Sequence, residues 1–168
     1  MENKELYRVL VIGPTGAGKS QFCNFVQRDT TNTINEVCHR LKSCTKSPKS
    51  NIFTRNDTKF DFIDSAGSSD SDDDDIKNLN LLIDFLKKKE SIDYISLLLK
   101  FGEKITYETK KYLETLGKIF TAAEFYTHLC IFFTKFPAKP KKKDLKLRDE
   151  TYDEINEILK EIFQIKNL

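Results

Sequence analysis

Apolar positions along this chain fall alternately into short β-type runs and helical stripes. Tyr7 to Ile12 (YRVLVI) is a β-rich run closed by a glycine, and it suits a central parallel strand covered on both faces. From Lys19 to Arg28, Phe22, Cys23, Phe25 and Val26 recur at helical spacing. Residues 29–50 are polar and rich in Thr, Asn and Ser, so they read mostly as loop. Ile52 to Thr54 is a weak strand suited to a sheet edge, and Lys59 to Asp64 (KFDFID) alternates before an acidic residue and a turn. Ser68 to Asp75 (SSDSDDDD) repels itself and is expected to stay unpacked and mobile without a ligand. Ile76, Leu79, Leu82, Ile83 and Leu86 then mark one face of a helix, and Ile92 to Lys100 the next buried strand. Tyr112, Leu113, Leu116, Ile119 and Phe120 line a further helix. His128 to Phe133 reads as a strand entered from Phe125 and Tyr126. A lysine- and proline-rich loop is expected from Lys135 to Lys146, before a last helix on whose face lie Tyr152, Ile155, Leu159 and Ile162, with Ile158 and Phe163 beside them.

Strands alternating with helices, joined by right-handed crossovers, predict an α/β, three-layer, doubly wound and mostly parallel sheet. At 168 residues the chain fits a single domain able to bury a real core. Its apolar content of 39% and charged content of 32% remain within the range of soluble globular proteins. A net charge of +2 points to no obligate nucleic-acid or membrane partner. The opening MENKELYRVLVIG carries charges where a signal peptide needs apolar residues, and no run approaches the roughly 20 residues of a membrane span. Cys23, Cys38, Cys44 and Cys130 form no CxxC pair and are expected to be free thiols in a reducing, cytoplasmic setting. His39 and His128 read as structural or surface residues.

The chemistry concentrates after the first strand. Gly13-Pro14-Thr15-Gly16-Ala17-Gly18-Lys19-Ser20 is a full GxxxxGKS lying between an apolar strand and an amphipathic helix, where a P-loop NTPase places its phosphate cradle. Gly16 and Gly18 are expected at positive φ, so that successive N–H groups and the helix N-terminus surround an anion. Lys19 would reach the β- and γ-phosphates, Ser20 would ligate Mg²⁺, and the following Gln21 is counted with the nucleotide-binding residues. Pro14 has no N–H and must sit where none is needed.

A P-loop enzyme also needs an acidic residue at the end of a neighbouring strand to hold hydrated Mg²⁺. In Phe60-Asp61-Phe62-Ile63-Asp64-Ser65-Ala66-Gly67, Asp64 takes that place, and the Gly67 N–H would meet a γ-phosphate. The acidic run beyond it would then act as a mobile switch. Between these motifs a GTPase needs a hydroxyl on a loop to complete the Mg²⁺ shell. Thr45, in Ser43-Cys44-Thr45-Lys46-Ser47, is the candidate, and an ordinary polar loop is the plainer alternative.

Together these residues resemble the GTPases of immunity-associated proteins, the avirulence-induced family related to septins. The family's GxTGAGKS, S-x-T-K and D-x-x-G patterns correspond to GPTGAGKS, Ser43-Cys44-Thr45-Lys46 and Asp64-Ser65-Ala66-Gly67. Its hydrophobic strand, Thr-bearing loop and helix ending in Phe correspond to ISLLLKFGEKITYETKKYLETLGKIF, so the likeness runs from about residue 7 to 134. The resemblance implies a G-domain-like fold that binds GTP and GDP with Mg²⁺, hydrolyses GTP slowly, and forms a nucleotide-dependent homodimer through its switch regions. It also implies a guanine-reading motif, T-R/K-K-x-D, after an apolar strand. Thr134 and Lys135 match its start, but Pro137 or Ala138 stands where the aspartate belongs. Asp144, in Lys142-Lys143-Asp144, restores the pattern only if the loop carries an insertion. The family also continues with another strand and helix, whereas this chain has one helix after that loop.

Ser68 and Ser69 follow D-x-x-G where many GTPases carry a water-orienting glutamine, and Lys104 stands where the family places an arginine finger. Arg40 and Arg55 near the switch-like region read as solvated charges. A weakly hydrolysing nucleotide-binding interaction module is therefore the alternative to a switch GTPase. A kinase-like ATP enzyme lacks an evident acceptor site or an arginine-rich lid. The basic cluster of Lys135, Lys139, Lys141, Lys142, Lys143, Lys146 and Arg148 could touch anionic lipid peripherally. It has no interleaved aromatics to stack nucleic-acid bases, and a solvated loop is the plainer reading.

Overall fold

The computed structural model describes residues 6–27, 47–66 and 72–164. In chain order these form β1 (Tyr7–Ile12), α1 (Lys19–Gln27), β2 (Lys49–Arg55), β3 (Thr58–Asp64), α2 (Asp72–Leu86), β4 (Tyr94–Lys100), α3 (Tyr107–Leu116), α4 (Ala122–His128), β5 (Leu129–Thr134) and α5 (Lys142–Ile162). One five-stranded sheet has the order β2-β3-β1-β4-β5. β1 pairs in parallel with β3 and β4, and β4 with β5, while β2 runs antiparallel to β3 at the edge. The doubly wound, mostly parallel sheet expected from the sequence is therefore present.

Strand side chains alternate between faces, and this period divides the core in two. Leu10, Ile12, Ile63, Ile95, Leu97 and Leu99 face one way, against Leu82 of α2, Leu113 and Leu116 of α3, Phe125 of α4 and Ile155, Ile158 and Leu159 of α5. Val9, Val11, Phe53, Phe62 and Leu98 face the other way, against Ala17 and Cys23, with Phe22 and Val26 of α1 packed around them. Truncating such a buried leucine or isoleucine to alanine costs about 2 to 5 kcal/mol. Asp61 projects from β3 and is almost wholly buried. Lys89, just past α2, pairs with it at 2.8 Å, and the Ser50 hydroxyl on β2 also donates to it. A buried carboxylate left without its cation would be strongly destabilising, so this contact ties β3 to α2.

The register aligns the strand ends at one rim. Val11 of β1 lies opposite Asp64 of β3, while Ile12 lies opposite Leu97 of β4. β4 and β5 run on together to Lys100 and Thr134, so they rise past the end of β1 and wall one side of the loop that follows it.

Several expectations are corrected. The acidic run enters α2 at Asp72 instead of staying unstructured through Asp75; negative charge favours a helix's first turn, which self-repulsion alone overlooks. The weak strand at Ile52 to Thr54 extends over Lys49–Arg55, because pairing with β3 along its length outweighs its polar composition. Phe125 and Tyr126 lie in a helix, α4, which starts with a capping box between Thr121 and Glu124 and runs directly into β5. The basic loop ends at Lys141, since Lys142 to Lys146 already belong to α5. Phe25, Ile76 and Tyr152 were expected on buried helix faces, yet they are exposed.

Candidate phosphate-binding site

β1 ends beneath the backbone of β4, and this close approach dictates glycine at the turn. Gly13 has φ 147°, and a Cβ there would overlap the Leu98 carbonyl oxygen. Gly16 and Gly18 take φ of 79° and 89°, the left-handed geometry expected of them. Pro14 serves as an acceptor: its carbonyl receives the Ala17 N–H at 3.2 Å and the Lys19 ammonium at 3.1 Å. The Phe22 N–H donates to the Gly18 carbonyl at 2.8 Å, and α1 is under way. Thr15 lies half-buried in this loop, whereas Gln21 is exposed on α1.

Lys19 folds back over the loop and is only 7% exposed. Its ammonium donates to the Gly13 carbonyl at 2.9 Å as well as to Pro14. Burial pulls its pKa down to about 8, although the negative charge of Asp64 opposes the shift. The cation is therefore held by two carbonyls and sits close to a carboxylate, so an arriving phosphate would improve its solvation. Cys23, behind it, is pushed up by burial and by Asp64, which keeps it a thiol.

Ser20 and Asp64 meet as the second feature. The Ser20 hydroxyl donates to Asp64 Oδ2 at 2.7 Å, joining the first turn of α1 to the end of β3. Asp64 is 1% exposed and lies beside the buried lysine. A hydroxyl and a carboxylate converging next to a phosphate cradle are hard oxygen donors, which suit Mg²⁺. These residues fit that ion and the anion it accompanies.

Two residues that support the site were not recognised in these roles from sequence. Ser65, 1% exposed, donates its hydroxyl to the Val11 carbonyl at 2.7 Å and its N–H to the same oxygen at 3.3 Å, pinning the chain beyond Asp64 to β1. A polar residue directly after a strand's last acid is a faint signal for this. Thr134, expected to meet the nucleotide, donates its hydroxyl to the Ala17 carbonyl at 2.8 Å, and the Leu99 carbonyl lies 3.4 Å away. Its methyl group stands against Gly18. The end of β5 is thus a buttress of the phosphate loop.

Beyond Thr134, Lys135 is exposed with φ 56°, and Pro137 follows half-buried. Asp144, the residue expected to restore the guanine-reading motif, lies in the first turn of α5, where Oδ2 accepts the Lys141 N–H at 2.8 Å. Helix capping holds the carboxylate that the motif would require. Arg55 reaches the Val26 carbonyl at the far end of α1 from the phosphate loop, and Lys104 lies exposed in the loop after β4. Thr45 and Gly67 lie outside the described residues, as do Arg40, Ser68 and Ser69.

Solved structures share this architecture at low identity. A dimerisation-deficient variant of Toc33 from Arabidopsis thaliana superposes with a TM-score of 0.83 at 16% identity, covering 99% of this chain and 66% of the Toc33 chain. Toc33 in complex with Mg²⁺ and GMPPNP gives 0.79 at 17% identity over the same shares. A variant of Era from Aquifex aeolicus bound to GDP and aluminium fluoride gives 0.67 at 15% identity, covering 92% of this chain and 49% of Era. Another matching structure is described by the statement that dimerisation is important for the GTPase activity of the chloroplast translocon components atToc33 and psToc159. At such identities the likeness establishes the fold, and this chain spans about two thirds of the Toc33 length. No curated protein matches the sequence. Among the described residues, no helix is long and apolar enough to cross a membrane. The family model matches nearly the whole chain, residues 7–167, and with the phosphate loop and its Ser20–Asp64 pair in place the chain belongs to the AIG1 family.

Proposed function

We propose that this chain is a cytoplasmic, single-domain protein that binds GTP and GDP with Mg²⁺ at the Gly13–Ser20 loop and hydrolyses GTP slowly. The observation that carries this reading is the convergence of Lys19, Ser20 and Asp64 on one loop: the lysine on the Gly13 and Pro14 carbonyls, the hydroxyl on the carboxylate. Loop N–H groups and the α1 N-terminus would receive the phosphates, and Lys19 would exchange two carbonyl partners for phosphate oxygens. Mg²⁺, when bound, would neutralise charge between the β- and γ-phosphates, with Ser20 and Asp64 holding it and Thr45 completing the shell. Gly67 would then meet the γ-phosphate. Family membership and the GDP- and GMPPNP-bound structures of Toc33 support the choice of guanine nucleotide. The dimerisation recorded for Toc33 supports a nucleotide-dependent homodimer.

A second reading, an interaction module that binds nucleotide and barely hydrolyses it, is favoured by Ser68 and Ser69 in place of a glutamine and by Lys104 in place of an arginine. Titration calorimetry with GDP and GMPPNP in Mg²⁺ tests the shared claim. Lys19→Ala should lose at least about 100-fold in affinity, roughly 2.7 kcal/mol, and unchanged affinity would sink the site. Phosphate release from GTP, followed against protein concentration, separates the two readings. A rise in specific rate supports the dimerising GTPase; release no faster than from GTP alone supports the module.

A further inference from the structure

We infer that the start of α5 and the loop leading into it form a docking surface for an anionic lipid bilayer, with Lys139, Lys142, Lys143 and Lys146 arrayed around Leu145 and Leu147. The inference is independent of the nucleotide reading above.

Charge is the first observation. Residues 139–148 hold six cations and one carboxylate, Asp144, a net charge of +5 in a chain of net charge +2, so the remaining residues are net negative. A whole-chain charge near neutrality thus conceals one concentrated cationic patch. Its four named lysines are all exposed. Lys146 reaches Glu150 at 3.4 Å and Arg148 pairs with Asp149 at 2.6 Å. Lys139, Lys142 and Lys143 make no salt bridge among the described residues.

Position is the second. A helix N-terminus is its positive end, where carboxylates stabilise and cations oppose. Asp144 meets that preference and accepts the Lys141 N–H at 2.8 Å, whereas Lys142 and Lys143 stand against it. Local helix stability therefore does not account for these lysines, and an anionic partner would. Pro137 and Pro140 restrict the backbone that presents Lys139.

The two leucines select the partner. Leu145 and Leu147 are 36% and 40% exposed, on a helix whose buried contacts come from Ile155, Ile158 and Leu159 farther along. At 3.6 residues per turn, Lys142, Lys146 and Lys143 fall on the arc between them. Leucines flanked by lysines suit a membrane interface, where the leucines enter the acyl boundary and the lysine stems snorkel to the headgroups. A phosphodiester backbone would satisfy the lysines but leave the leucines in water, and residues 139–148 contain no aromatic side chain to stack on bases. Beyond this end α5 turns acidic, with Asp153, Glu154 and Glu157 exposed. The helix would therefore meet the bilayer by its first turns and not lie flat along it.

The test is flotation of the full chain with vesicles of phosphatidylcholine alone and with about 30% phosphatidylserine. Binding should require phosphatidylserine and weaken at least about tenfold as salt rises from about 0.1 M to about 0.5 M. Lys142→Gln/Lys143→Gln/Lys146→Gln should lower affinity about a hundredfold, roughly fivefold per charge. Leu145→Ser/Leu147→Ser should lower it about tenfold with every charge kept. Thermal unfolding checks that both variants fold; Lys139→Gln, outside the helix, should still cost about fivefold and keeps the test open if a helix variant does not. No binding to phosphatidylserine vesicles, or binding that ignores the lysine variants, would overturn the inference. Lysine-dependent binding that ignores Leu145→Ser/Leu147→Ser would overturn it too. It would mark a general polyanion contact, which heparin or poly-glutamate binding at equal affinity would identify.

Discussion

The two ends of the candidate site are held by different physics. At the phosphate end, Gly13, Lys19, Ser20 and Asp64 are placed by backbone geometry and by short bonds between largely buried groups. At the end where the sequence places base recognition, Lys135, Phe136 and Pro137 occupy a more open loop tied in by Thr134 and one aromatic pair. A phosphate is a dense anion, so binding it takes convergent N–H groups and a cation in a fixed cradle. A base is flat and needs fewer convergent groups, so the loop at that end is less constrained than the cradle. The difference teaches where the chain will tolerate change.

Breaking the rigid end should have the largest effect. Gly13→Ala would drive a methyl group into the Leu98 carbonyl in a backbone conformation that alanine avoids. A loss of about 3 kcal/mol or more in stability is expected, together with phosphate binding, measurable by thermal unfolding and tripolyphosphate titration. Wild-type stability in that variant would mean that β1 and β4 are less tightly set than described.

Next comes charge. The Lys19 pKa lies near 8 in the folded chain, lowered by burial from an unfolded value near 10.5. Burying the cation therefore costs stability in full below pH 8, and that cost is relieved as pH rises from 8 toward 10.5. Binding has the opposite sign, because phosphate needs the ammonium: affinity should fall above pH 8 by up to about tenfold per unit, with uptake of a proton on binding. Calorimetry in buffers of differing ionisation enthalpy reads that uptake, and its absence at pH 9 would contradict the buried placement of Lys19.

Smaller effects would sharpen the boundary between the ends. Thr134→Val keeps the shape but removes the bond to Ala17, leaving a carbonyl unpaired; about 1 to 2 kcal/mol of stability and several-fold in phosphate affinity should go with it. Asp144→Ala should cost about 1 kcal/mol of stability through the lost cap and leave nucleotide affinity unchanged. A selective loss of GMPPNP binding in that variant would place the carboxylate at the base after all.

Much of the rigid end was legible because its determinants are local. GxxxxGKS between an apolar run and an amphipathic stripe carries its own geometry, and KFDFID announces the strand that delivers Asp64. The base end was less legible for the complementary reason. Asp144 has a motif-like neighbourhood in Lys142-Lys143-Asp144, and only the start of α5 reveals that its carboxylate belongs to a helix cap. Thr134 matched a base-reading pattern, while its hydroxyl partner, Ala17, lies far away in sequence and is brought near by the pairing of β5 beside β4. Phe25, Ile76 and Tyr152 carry the right spacing for buried faces yet stay exposed, since periodicity marks a stripe without specifying how wide a stripe the neighbouring elements cover.

The sequence by itself determined the elements that depend on residues close together: the order of strands along the chain, the helices apart from α4, the doubly wound class, the phosphate loop and its cation. Tertiary structure alone decided which strand lies beside which. That arrangement set Ser20 against Asp64, buried Asp61 with Lys89, and joined Thr134 to the phosphate loop. The physical reason is range. Backbone propensity and side-chain period act over a few residues, whereas a hydrogen bond across the sheet depends on a register that the whole core must agree upon.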